Sequence, residues 1–446
     1  MEELIEEIHD LLENKQLSKI QERLADMQAV DIAELAEELE PKEELVTFRL
    51  LDKDTAAEVF AYMDSEYQER LIQLMTDREL ETVVTRLYSD DAADLIEEMP
   101  ANLVKRILKS APSDKRAQIN NLLQFPPESA GSIMTVEFVD LRETMTVRQA
   151  FDHIRSTGTK KETIYTCYVL DEKRRLKGAV SAKELLLADQ EEVLSNLMED
   201  NIISCNTMED QETVSQRLVK YDLLALPVVD SEERMVGIIT VDDAIDILQE
   251  ESDEDFAIMN AMAPAEDGYF QTSIWSHARR RIGWLLVLML SATITGTIIT
   301  KYEAAFSAVP LLVAFIPMLM DTGGNCGAQS STLVIRGLAT GEISLRDALK
   351  VMIREICIAL LVGVALAIVN GVRIYLQYRD FQIALVIGVT LMCTVLLAKI
   401  VGCLLPMLAK AAKMDPAIMA APLITTLVDT FAVFVYFRTA SMILGI

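Results

Sequence analysis

Asp429 is the residue in this chain best placed to do chemistry, because it is the one charge between Pro416 and Phe437 in an otherwise apolar C-terminal run. At ~1.5 Å of helical rise per residue it lies about 20 Å from Pro416, inside a hydrocarbon layer ~30 Å thick. Burying a carboxylate there costs ~3 kcal/mol or more, so such a residue marks a functional site that faces protein or water. The expected chemistry is cation binding in a path through the membrane. A second polar set stands in IPMLMDTGGNCGAQSSTLVIRG, Ile316 to Gly337. Gly323, Gly324 and Gly327 there permit close backbone approach, as helix packing requires. Packing explains Asp321, Asn325 and Gln329 less well, and these three are expected to support a pore. Lys399 offers Asp429 a competing role as half of an ion pair; it could equally pair with Asp321, stabilise helix packing, or snorkel.

The elements that carry these residues follow from charge. Residues 1 to 267 hold 27 basic and 61 acidic residues, whereas 268 to 446 hold 14 and 8. A half that acidic repels polyanions, so nucleic acid is not an expected partner, and the other half suits lipid. The opening MEELIEEIHD has neither a basic stretch nor an apolar core of the kind a cleaved leader carries, so the acidic half is expected in the cytosol. Six cysteines without a CxxC pair suit a reducing compartment and are expected to be packing residues.

From Asp31 to Phe125 the apolar spacing i, i+3, i+4 predicts short amphipathic helices, among them DIAELAEELE, DTAAEVFAYM, ELETVVTRL and DDAADLIEEM. Their recurrence predicts an α-solenoid-like stack. After Pro126 the pattern changes to two copies of one unit, each with a SIMT or NLME opening, a helix, a strand ending in Asp, a turn, then Gly and a strand into a second helix. Asp171 and Asp230, and Gly178 and Gly237, are each 59 residues apart. This duplication resembles a tandem cystathionine-synthase-type (CBS) pair, an α+β regulatory module. Many members of that family hold adenine nucleotides through Gly-h-h-Ser/Thr-x-x-Asp/Glu, matched here by Ser181 with Glu184 and by Thr240 with Asp243. A capping box at the following helix explains the same residues without any ligand.

An acid-rich helical segment, Asp246 to Ala263, leads to five apolar stretches at 282–300, 304–320 with a polar extension to Arg336, 356–372, 381–409 and 416–437. Arg279 to Arg281, then Arg346, Lys350 and Arg354, then Lys410 and Lys413 all fall on one side if the acidic half is cytosolic. Arg373 and Arg379 oppose that count. Five crossings leave the C-terminus outside. The expected fold is thus multidomain: an α-solenoid-like helical domain at 1–129, an α+β tandem CBS pair at 130–249, an acidic connecting helix and linker at 250–277, and an all-α membrane domain of five transmembrane helices at 278–446.

Taken together, the acidic helical domain, the CBS pair, the linking helix, PMLMDTGGNCGAQ and DPAIMAAPLITTLVDT resemble the MgtE-type magnesium channel family over essentially the whole chain. The resemblance implies a homodimer in the cell membrane whose fifth helices surround a pore, Mg²⁺ bound at Asp429, and closure by internal Mg²⁺. Mg²⁺ dehydrates reluctantly, so one carboxylate per subunit with retained waters and a carbonyl such as that of Thr425 suits it. Two Asp429 residues across a two-fold axis would balance one divalent ion. The implied sensor would draw on Glu58, Asp90, Asp91 and Asp94, on Asp242, Asp243 and Asp246, on Glu250, Glu251, Asp253, Glu254 and Asp255, and on Asp415, because facing acidic surfaces repel until cations bridge them. No enzymatic chemistry is implied, and ATP is the nucleotide the CBS pair could hold. The alternatives are a carrier for Co²⁺ or another divalent ion, and a membrane-anchored nucleotide sensor.

Overall fold

A twelve-residue rhythm builds the first part of the chain. Ten-residue helices start at Pro41, Lys53, Ser65, Asp77, Ser89, Ala101 and Ser113. At the same interval Phe48, Phe60, Ile72, Val84 and Ile96 are buried. Each such side chain stabilises the stack by ~1.5–3 kcal/mol. Helices pack on their next-but-one neighbours, Lys53–Tyr62 against Asp77–Arg86 and the latter against Ala101–Ser110. Ion pairs follow the same step, with Arg70 to Glu44 at 2.7 Å, Arg86 to Asp54 at 2.8 Å and Arg106 to Asp77 at 3.0 Å. Of the acids at helix starts, Asp52 caps directly, accepting from the amides of Asp54 and Thr55, whereas Asp31, Asp90 and Asp91 sit in the first turn and favour the helix through its dipole.

The computed structural model describes residues 2–264, 269, 272–302, 309–419 and 421–445. They fall into two units, Met1–Gln249 and Glu250–Ile446. In the first unit the duplicated segment forms two three-stranded sheets, β1 Asp140–Arg142, β2 Thr166–Leu170 and β3 Leu176–Ser181, then β4 Cys205–Asn206, β5 Ala225–Val229 and β6 Met235–Thr240. The repeat is literal down to register: Val169 faces Gly178 as Val228 faces Gly237, and each antiparallel pair carries an irregularity at the same place. In both hairpins the turn is closed by an aspartate, Asp171 or Asp230, accepting two backbone amides, and passes through positive φ at Arg174 and Glu233. The two glycines have a packing reason. A Cβ at Gly178 would lie 2.5 Å from Met198 Sδ, and one at Gly237 2.7 Å from Met134 Sδ. Those methionines belong to the NLME and SIMT openings, so each opening packs on the sheet of the other unit.

Among the described residues of the second unit five helices are long and apolar enough to cross a membrane: Ile274–Lys301, Pro310–Ala339, Leu345–Tyr378, Phe381–Ala411 and Pro416–Leu444. They are called here the first to fifth spans. Leu290, Leu361 and Val369 are exposed, as side chains that meet lipid should be. The second span opens with a 3₁₀ turn, Pro310–Phe315, ahead of the helix Ile316–Ala339, and the start expected at 304 lies outside the described residues. The third span begins well before the expected 356, because the helix Ala348–Tyr378 takes in Arg354 and Glu355. The connecting helix has no separate start at 250: Val241–Met259 runs unbroken from the second CBS sheet into the acidic segment. Its far end, Ile258 and Met259, packs on Ile335 of the second span and Ala417 at the head of the fifth.

Candidate functional site

Asp429 lies in the helix Ala421–Leu444, between a buried side made by Ile424, Val428, Ala432 and Val433 and the open side of the unit. Its carboxylate is half-buried, and Oδ1 is enclosed with no hydrogen-bond partner among the described residues. Asp321 of the second span is its charged neighbour, a second negative group. The two spans meet through the glycines: a Cβ at Gly324 would lie 2.8 Å from Thr425 Cγ2, one at Gly327 2.7 Å from Ile424 Cγ2, and one at Gly323 2.9 Å from Val428 Cγ1. Close backbone approach thus sets Thr425 and Asp429 beside the polar second span. Asp321, Asn325 and Gln329 recur every fourth residue, forming a stripe on one face of that span, and all three are exposed.

Lys399 neutralises neither aspartate. It is 5% exposed and pairs with Glu355 of the third span at 3.5 Å, while its Nζ donates to Ser330 Oγ at 3.0 Å. Of the alternatives open to Lys399, it takes up neither pairing with Asp429 nor pairing with Asp321, and it joins the second, third and fourth spans instead. Glu355 escaped the sequence reading because it adjoins Arg354 and looked like part of a polar flank. Only the folded helix shows it turned inward, 7% exposed.

The first unit gathers a second group of carboxylates. Asp90 and Asp91 at the head of the helix Ser89–Glu98 converge with Asp242 and Asp243 at the start of Val241–Met259, and with Glu137 and Glu162, which sequence reasoning had not singled out. Glu162 is pushed up to about 8 by burial first and then by Asp91, Asp243, Asp242 and Glu137. Burial also takes Asp243 to about 6 against the Thr240 hydroxyl, which opposes it, with Asp242 and Asp91 adding to the rise. Asp90 is raised well above the usual carboxylate range by burial and then by Asp91, Asp243 and Glu162. Asp91 is raised by burial despite the Tyr88 amide and Lys115. Asp94 keeps its outer edge in water, yet the packed protein around it and then Asp91, Glu97, Glu98 and Asp243 push it up as well. Glu58 and Asp246 stand at the margin: the Tyr62 phenol is raised by burial and then by Asp242, Glu58, Asp91 and Asp246. Lys115 supplies the nearby cation and is held 3.2 Å from Glu137. Desolvation opposes ionisation of Glu137, but Lys115 with the hydroxyls of Ser89 and Thr135 outweighs it and lowers its pKa.

In the second unit Asp255 is raised to about 6 by burial and then by Asp415, Glu251 and Glu254. Asp415 accepts from the Ala417 amide at 2.8 Å, at the head of the fifth span. Glu250 and Asp253 are exposed. Among the described residues no three His, Cys, Asp or Glu side chains converge closely enough to hold a metal ion by themselves. The nucleotide-type elements are engaged as caps. Ser181 and Glu184 form a complete capping box, and the Thr240 hydroxyl donates to Asp243.

Residues 27–128 match the MgtE intracellular N domain family, 130–191 and 194–250 match the CBS domain, and 316–439 match the MgtE family described as divalent cation transporters. Magnesium transporter MgtE of Thermus thermophilus is 33% identical over 447 residues, covering 99% of each chain. The chain belongs to the MgtE family. Magnesium transporter MgtE of Bacillus subtilis is 30% identical over 440 residues, 99% of this chain and 97% of that one. Two solved structures share the fold of the first unit. The soluble part of a magnesium transporter has a TM-score of 0.54 at 28% identity, covering 56% of this chain and 99% of that one. The cytosolic domain of the Mg²⁺ channel MgtE in complex with ATP has a TM-score of 0.52 at 33% identity, covering 54% and 98%. MgtE membership and five spans make this a multi-pass membrane protein with a helical N-terminal domain and a CBS pair.

Proposed function

We propose that this protein is a Mg²⁺ channel of the cell membrane, working as a homodimer with Asp429 as its ion-binding charge. The observation that carries the reading is the enclosed Oδ1 of Asp429, which has no hydrogen-bond partner among the described residues, Lys399 being spent on Glu355. A carboxylate at that depth is tolerated where a cation or water meets it. The described residues of one chain supply no closed metal cage, which suits an ion that keeps much of its hydration shell and takes one carboxylate from each of two subunits. The Thr425 carbonyl and the stripe Asp321, Asn325 and Gln329 would complete a polar path. The magnesium transporters among its relatives support Mg²⁺ as cargo. Passage past Asp429 is conductive and involves no enzymatic step.

The two carboxylate groups of the cytosolic half serve as the sensor. Each crowds acids whose joint ionisation is resisted, and divalent ions would relieve that repulsion only while the acids stay together. With the acidic half in the cytosol, high internal Mg²⁺ therefore favours the compact, closed arrangement, and the C-terminus lies outside. The relative solved with ATP supports a nucleotide at Ser181, Glu184, Thr240 and Asp243, for which the capping hydrogen bonds would have to open.

The deciding experiment is Mg²⁺ flux from purified protein in liposomes. Asp429→Asn should abolish most of it while leaving a dimer of normal size, and normal flux with normal selectivity in that variant sinks the assignment. Flux that follows voltage and ignores proton and Na⁺ gradients identifies a channel rather than a coupled carrier.

A further inference from the structure

We infer that Ser330, Glu355 and Lys399 form a buried clamp that fixes the rotational setting of the second span, and with it the presentation of Asp321, Asn325 and Gln329 to the ion. This rests on the proposed ion path. The three residues come from the second, third and fourth spans. Ser330 Oγ donates to Glu355 Oε2 at 2.5 Å and accepts from Lys399 Nζ at 3.0 Å. The Lys399 and Glu355 side chains are 6% and 9% exposed. At about 100° of turn per residue, Ser330 lies about 180° around the helix from Asp321. The clamp thus grips the back of the helix whose front is the polar stripe.

Between the packed side chains of Leu319 and Val334 much of that back is small: Gly323 and Gly327 carry no side chain, Cys326 is the one sizeable group between them, and Gly402 of the fourth span presses on the Gly327 carbonyl. Glycine surfaces let helices come close but do little to resist rotation. Directional bonds supply what the glycines lack: Ser330 to the ion pair and Ser331 to the Met419 carbonyl at 2.9 Å. Stability alone does not demand an ion pair here, since well-packed apolar residues replace buried pairs without loss in many proteins. An apolar replacement would keep the helices together but would not set the angle. The pair also closes its charges on itself, which leaves Asp429 and Asp321 to the ion. These are positioning residues, remote from the ion itself.

The test uses the full chain in liposomes and reads Mg²⁺ flux against external Mg²⁺, together with Mg²⁺ over Ca²⁺ selectivity. The double variant Glu355→Gln/Lys399→Met removes both charges, so neither is stranded. It should assemble and melt like the parent, while half-saturating Mg²⁺ rises about tenfold, the scale of lost support behind a metal site, and Ca²⁺ exclusion weakens. The exchange Glu355→Lys/Lys399→Glu should restore both readouts, because the Ser330 hydroxyl can still donate to one partner and accept from the other. If the double variant misfolds, Ser330→Ala keeps the ion pair and should shift half-saturation in the same direction. Parental half-saturation and selectivity in a folded variant overturn the clamp, as does a folded exchange variant that recovers neither. Asp429→Asn in the same assay separates the two readings. Lost flux there with a parental double variant defeats the clamp alone, and retained flux defeats the ion path beneath it.

Discussion

Among the described residues Asp429 keeps an enclosed carboxylate oxygen without a hydrogen-bond partner, and Glu79 does the opposite. Glu79 is bound by Arg49 at 2.7 Å and closes a capping box with Thr76, and its pKa falls to about 2, chiefly through Arg49, against desolvation. A depressed carboxylate pKa contributes stability that is present above the unfolded value near 4.5 and is lost as pH falls through about 2. Glu79 is 33% exposed and Arg49 46%, so solvent screening reduces the pair to about 1 kcal/mol. Glu79→Gln should therefore lower the melting temperature of the acidic half at pH 7, and the gap from the parent should close between pH 4.5 and 2. Calorimetry across that range checks it, and a constant gap at all pH values would assign the effect to the cap. Asp429 was legible in the sequence because nothing charged surrounds it, so no fold was needed to see its cost. Glu355 and Glu162 were not. One adjoins an arginine and the other lies in a polar loop, and their significance arises only when distant segments bring Lys399 or Asp91 to them.

Helices and strands show the same division between what spacing reveals and what packing decides. The 59-residue repeat was readable because turn chemistry and strand pattern recur, and the structure repeats even the register. The exchange of openings between the units was not readable: nothing in SIMT says that Met134 lies over Gly237 rather than over its own sheet. Among the spans, the small-residue motif announced close packing without naming the partner. That partner proves to be two helices at once, with Gly324 and Gly327 against the fifth span and Gly402 of the fourth against the Gly327 carbonyl. Gly402→Ala puts a methyl into that carbonyl, and backbone cannot yield as a side-chain end can. The expected cost is about 1–3 kcal/mol of overpacking. A lower melting temperature in detergent, together with reduced Mg²⁺ flux, checks this. A variant with parental stability and flux would show that the two helices are free to separate there.

For the whole molecule the question is how an acidic half, proposed to face the cytosol and to sense Mg²⁺, could respond steeply to a small ion. A ligand moves an equilibrium only by its difference in affinity for the two states, so a single weak site gives a shallow response. On the proposed gating, several carboxylates gathered from the helical domain and from the CBS pair would each favour the compact state when Mg²⁺ is bound, and their differences would add. Asp91 comes from one domain, whereas Glu162 and Asp243 come from the other, so this cluster exists only while the two stay packed. Neutralising them together, Asp91→Asn, Glu162→Gln and Asp243→Asn, should remove the repulsion and the proposed ion binding at once. The level of flux at low internal Mg²⁺ can then fall, because a half that no longer repels itself closes without the ion. The slope is the discriminating quantity: flux should lose most of its dependence on internal Mg²⁺, and Mg²⁺ should no longer protect the helix around Asp253 from protease in the full chain. A triple variant with the parental slope and the parental protection would place the sensor with Asp255 and Asp415, at the head of the fifth span, where a separate pair of amides would have to abolish both.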